Sequence, residues 1–137
     1  MRGVSVSYDG KTFAGCFFDQ TICVFSSGSD APVHVLRQHS GHVNRVSFAP
    51  DGKSLISCSN DKTVRLWNVE TGQLSQTFEG HLRDVTGACF SEDGKLIVSI
   101  SYDGSVKIWI AETNQINTQA VEGHQREIYA VAFSPNG

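Results

Sequence analysis

Residues 48–68, FAPDGKSLISCSNDKTVRLWN, align without a gap on residues 90–110, FSEDGKLIVSISYDGSVKIWI. The same frame fits residues 6–26, VSYDGKTFAGCFFDQTICVFS, and a fourth copy opens at 133–137, FSPNG. Gly10, Gly52, Gly94 and Gly137 mark corresponding turns, at intervals of 42, 42 and 43 residues. No other feature constrains the fold as much. A period of this length makes each unit one supersecondary structure that buries its apolar side by stacking on its neighbours, and it suits a four-stranded unit better than a helix pair.

Within a unit, SLISCS, LIVSIS, TVRLW and SVKIW are rich in β-branched and large apolar residues on both faces, as strands held between two other sheets would be. Asp-Gly or its equivalent links the first two strands of a unit, and a Ser/Asn/Asp cluster links the next two. Strands are predicted near 3–7, 13–17, 22–25, 33–36, 43–48, 54–58, 63–67, 74–78, 85–90, 96–100, 105–109, 116–121 and 128–133, with no helix.

An apolar content of 39% in 137 residues is enough for a core. The 11 Lys and Arg, against 14 Asp and Glu, are scattered singly, so no phosphate-tracking surface and no nucleic-acid partner is expected. The N-terminus lacks the apolar run of a signal peptide, and no stretch nears the ~20 apolar residues of a membrane span. A soluble chain is expected in the cytoplasm, with the nucleus as the alternative. Cys16, Cys23, Cys58 and Cys89 lie in apolar alternating segments without a C-x-x-C pair and read as core thiols.

The motif QHSGHV at 38–43 offers two histidines as the start of a unit. His81 lies nine residues before Phe90 and His124 nine before Phe133, which puts His39 in frame with Phe48 and His42 three residues out of it. Two sets then recur at steps of 18, 4 and 6 residues: His39, Ser57, Asp61 and Trp67, and His81, Ser99, Asp103 and Trp109. Ser, His and Asp are also the members of a nucleophilic triad. Recurrence at fixed spacing with a Trp attached argues instead for a structural brace, because a catalytic centre has no reason to repeat. A metal site on His39-x-x-His42 has no carboxylate in register, and with no Gly-rich phosphate loop after any strand, no cofactor is expected. The first unit keeps only Asp19 of the set, with Gly15 and Phe25 at the Ser and Trp positions.

With period, turn residues and Trp positions in agreement, the chain resembles the WD-repeat β-propeller family over essentially all its length. The Trp-Asp pair itself is absent: Trp67 precedes Asn68, Trp109 precedes Ile110, and the first unit has Phe25-Ser26. The resemblance implies an all-β propeller segment with three four-stranded blades at about 1–36, 39–78 and 81–121, plus an orphan strand at 128–133. It implies that each set forms a buried chain from Trp N–H to Ser hydroxyl to His to Asp. It also places on the narrow face Phe18 with Arg2; His42, Asn44 and Asn60; Asp84, Thr86 and Tyr102; and Glu127 and Tyr129.

Propellers close with four to eight blades. The chain is therefore expected to be a piece of a longer array, its remaining blades supplied by the same chain or by self-association. The function implied is a non-catalytic scaffold for protein or peptide partners. Carboxylates and aromatic rings on the narrow face suit a partner with basic and apolar residues. Two alternatives stand beside it: the propeller portion of a larger enzyme or signalling protein whose chemistry lies elsewhere, and an array that serves only as a spacer.

Overall fold

The computed structural model describes residues 1–113 and 116–122. Among these residues there are twelve strands and no helix. Strands β1 (Gly3–Val6), β2 (Thr12–Cys16), β3 (Ile22–Ser26) and β4 (His34–Leu36) form the first antiparallel sheet. The second holds β5 (Val43–Phe48), β6 (Ser54–Ser59), β7 (Val64–Asn68) and β8 (Leu74–Phe78). The third holds β9 (Val85–Phe90), β10 (Leu96–Ser101), β11 (Ser105–Ile110) and β12 (Ile116–Glu122). Each boundary lies within one residue of its sequence expectation; the strand expected at 128–133 falls outside the described residues.

Local chemistry sets the strand ends. Ser7 Oγ donates to Asp9 Oδ1 at 2.7 Å and accepts from Thr12 N at 2.9 Å, while Lys11 N donates to the same Asp9 oxygen at 3.0 Å. Ser7 is thereby taken into the turn, and β1 stops at Val6 rather than at residue 7. Gly10 completes this turn at φ 70°, where a side chain would be strained. Ser91, Asp93 and Lys95 repeat the arrangement. In the second sheet Ala49 replaces the serine, and only the bond from Lys53 N to Asp51 remains, at 2.9 Å.

Strand β1 runs beside β5, and β5 beside β9, so the sheets fan out from an inner row of first strands. Ala14, Cys16, Ile22, Val24 and Leu36 pack against Val43, Val46, Phe48, Leu55 and Trp67 to form one core. Ile56, Cys58, Val64, Leu66 and Phe78 pack against Val85, Ala88, Phe90, Ile97 and Trp109 to form the next. Each sheet thus offers a different alternation of residues to each neighbour, which is why its strands are apolar on both sides. On the first sheet the side turned away from the second carries Val4, Val6, Phe13, Cys23, Phe25 and Val35. Val4 is 60% and Val6 58% exposed there, and Phe13 stacks on Phe25 at 5.0 Å.

That outer side corrects the reading of the cysteines. Cys16 and Cys58 are buried, and burial pushes the Cys58 thiol up to about 12. Cys23 and Cys89 are only half-buried, Cys23 on the outer side of the first sheet and Cys89 on the edge strand β9.

Candidate functional site

All the loops that precede a sheet lie at the same end as its β-turn between second and third strands, because the strands alternate in direction. The His and Asp of each repeated set lie at this end, and its Ser and Trp belong to the second and third strands. Trp67 N–H donates to Ser57 Oγ at 2.8 Å, Ser57 Oγ lies 2.7 Å from His39 Nε2, and His39 Nδ1 lies 2.6 Å from Asp61 Oδ2. In the third sheet Trp109 N–H donates to Ser99 Oγ at 2.8 Å, which lies 2.7 Å from His81 Nε2. There the last link is different: His81 Nδ1 is 3.0 Å from Ser105 Oγ but 3.4 Å from Asp103 Oδ2.

Three contributors to the braces escaped the sequence reading. Thr63 donates to Asp61 Oδ1 through both its N–H (3.0 Å) and its hydroxyl (2.6 Å), and Ser105 serves Asp103 in the same way at 2.8 and 2.5 Å. The signal was a Thr or Ser two residues after each Asp, also present as Asp19-x-Thr21, where the turn survives without the brace. Gly41, out of frame with the repeat, is needed for another reason. A Cβ there would sit 2.7 Å from the backbone nitrogen of Asp61, and its carbonyl accepts from Ser59 Oγ at 3.0 Å.

Electrostatics follows from this packing. Burial alone would raise the Asp61 carboxyl, but the bonds from His39 and Thr63 outweigh it and hold the group well below the usual carboxylate range. Asp103 is likewise raised by burial and lowered further by Ser105 and by Leu82 N–H, to about 2. Burial depresses His81 more than Asp103 raises it, so the imidazole is held neutral. With the Trp109 N–H on Ser99 Oγ, the Ser99 hydroxyl donates to His81 Nε2, and Nδ1–H points to Ser105 and Asp103. Chemically this is a sealed relay: Ser57 and Ser99 are completely buried and each oxygen is covered by an indole N–H, which leaves no approach for a substrate carbonyl.

A pH dependence follows. Below its ordinary 6.5, His81 takes up a proton in the unfolded chain before it does in the folded one, so stability falls as pH drops. Asp61 and Asp103, depressed in the fold, add a second loss below 3.8. Thermal melts from pH 8 to pH 3 should show a decline beginning near 6.5 that is removed in a His81→Gln variant. A melting temperature that rises between pH 7 and pH 5 would contradict the neutral His81.

Around the braces lie the residues expected on the narrow face. Arg2 caps the Phe18 ring at 4.9 Å and donates to Asn44 Oδ1. Asn44 in turn donates from Nδ2 to Asn60 Oδ1 at 2.6 Å and to Val85 O at 2.8 Å, so one polar chain ties the three sheets together. His42 bonds Phe18 O through Nδ1 and meets the Phe18 ring edge-on at 5.7 Å. Asp84 and Tyr102 are half-buried and joined by the bond from Tyr102 N to Asp84 O at 3.0 Å. Thr86 is half-buried within β9 and reaches Ile100 O at 3.4 Å. Glu127 and Tyr129 lie outside the described residues. Phe18 is 54% exposed and Leu82, which sequence reasoning passed over, is 77% exposed. Because His42 is exposed and outside the brace, His42→Ala should change the unfolding free energy by no more than about 0.5 kcal/mol in urea titration; a loss as large as that of His39→Ala would overturn this division.

The family model described as WD domain, G-beta repeat matches residues 30–68, 72–109 and 115–137. A comparison with curated proteins gives no match.

Proposed function

Given that the chain belongs to the WD domain, G-beta repeat family, we propose that it is a non-catalytic scaffold that holds a protein or peptide partner on the brace end of its sheets. Repeats of this family in general mediate protein–protein interactions. The observation that carries the reading is a division of labour among side chains at one end of the molecule. His39 with Ser57 and His81 with Ser99 are buried and committed to each other, whereas His42 and Leu82 are exposed on loops next to the braces and Phe18 on the neighbouring turn of the first sheet. Exposed aromatic and aliphatic groups on a stiff support suit the centre of an interface.

The partner's chemistry follows from the charges nearby. Asp84, with Tyr102 beside it and Glu127 and Tyr129 added from the sequence, favours a basic residue next to an apolar one. Among the described residues Cys16, Cys23 and Cys58 form no disulfide, which suits a reducing compartment, the cytoplasm or the nucleus. The expected result for Asp84→Lys is a loss of more than about 1 kcal/mol in association with a captured partner, beyond that of an exposed ion pair, at an unchanged melting temperature. Calorimetric titration measures it; unaltered affinity would reject this face.

A further inference from the structure

At the end opposite the braces, the turns 7–11, 49–53 and 91–95 stand side by side. Two clefts open among them, one of about 270 Å³ and one of about 470 Å³, and Ala49, Pro50 and Phe90 line both, which makes them one groove. Its origin is legible in the repeat. The first and third turns begin Ser7-Tyr8 and Ser91-Glu92, with the serine hydroxyl closing the turn on its aspartate; the second begins Ala49-Pro50 and offers apolar surface instead. Leu66, Phe90 and Ala111 continue this surface between the second and third sheets.

The rim is net negative. Asp51, Glu92, Asp93 and Glu112 face it against Lys95, four negative charges to one positive. The hydrogen bonds that Asp51 and Asp93 accept within the turns all end on Oδ1, and among the described residues Oδ2 of each takes none. Gln76, on the wall of the larger cleft, spends its Nε2 on Glu112 O at 3.2 Å and leaves Oε1 buried without a partner among the described residues. Apolar walls, a net negative rim and unused acceptors together select an occupant that is apolar at its centre and cationic at its flanks.

We propose that this groove is a second docking site, for a peptide segment of a partner protein that carries a large apolar side chain next to Lys or Arg. The apolar group seats on the exposed Pro50, above the buried edges of Leu66, Phe90 and Ala111, and the flanking cation pairs with Asp51 or Asp93 through Oδ2. Because the groove and the brace end are at opposite ends of the sheets, the chain can hold two segments at once. That goes beyond the single face of the proposed scaffold and does not depend on it.

The test uses the full chain against an arrayed library of hexapeptides with one central apolar residue and flanks of Lys and Arg, of Ser, or of Asp and Glu. Hits are then titrated by fluorescence polarisation. The expected result is selection of the basic set, with dissociation constants at least threefold weaker in the Asp51→Asn, Asp93→Asn, Glu112→Lys triple variant. Asn keeps the Oδ1 acceptor that each turn requires, and a thermal melt verifies the fold. Asp84→Lys should leave at least one class of basic hit unaffected. No preference for basic flanks, or hits that all respond to Asp84→Lys and none to the triple variant, would overturn the groove while leaving the brace end in place.

Discussion

Trp67→Ala should cost about 3–5 kcal/mol of unfolding free energy, whereas Phe25→Ala, at the same place in the first sheet, should cost only about 1 kcal/mol. Both side chains occupy the same position in the repeat and point to the same side of their sheets. Trp67 is sealed against the first sheet, so its removal opens a cavity in that core and takes the indole donor from Ser57. Phe25 lies on the outer side, where among the described residues only Phe13 stacks on it, and water already reaches the space that truncation would vacate. Urea titrations of both variants decide the matter. Equal costs would mean that the outer side of the first sheet is covered in solution.

Asp61→Ala should cost about 3 kcal/mol, more than an isolated hydrogen bond, because one carboxylate serves His39, Ser40 N and both donors of Thr63. His39 lies fully inside the sheet interface and cannot recover the bond from water. Asp61→Asn, which retains one acceptor oxygen, should lose roughly half as much. In the third sheet His81 shares its Nδ1 between Ser105 and Asp103, so Asp103→Ala should be the milder of the two alanine changes. The same chemical denaturation measures all three, and an Asp103 cost above that of Asp61 would contradict the role given to Ser105.

The strands and the members of each brace were legible because two copies of the unit check one another: a Ser 18 residues after a His carries little meaning once and a great deal twice. The register that separated His39 from His42 came from the same redundancy. What stayed hidden depends on what a neighbouring sheet brings. An uncovered side on the first sheet is expected of an unclosed array, but nothing in the apolar run around Cys23 says that this thiol lies on that side. Arg2 and Asn44 are 42 residues apart and meet only because β1 lies beside β5. Leu82 follows a buried histidine in a loop; its N–H is held by Asp103 Oδ2 at 2.7 Å while its side chain is exposed. Gly41 looked like half of a displaced repeat motif; its role arises from the backbone of Asp61 pressing against it.

Framework and binding surface are separable at the brace end, and one paired measurement addresses this most directly: capture of partners from extract and a thermal melt, each on the parent chain, on Asp61→Ala, and on the quadruple alanine variant of Asp84, Tyr102, Glu127 and Tyr129. The account predicts that the quadruple variant loses the captured proteins at an unchanged melting temperature, while Asp61→Ala lowers the melting temperature and still captures them below it. Full capture by the quadruple variant would contradict the assignment of this face.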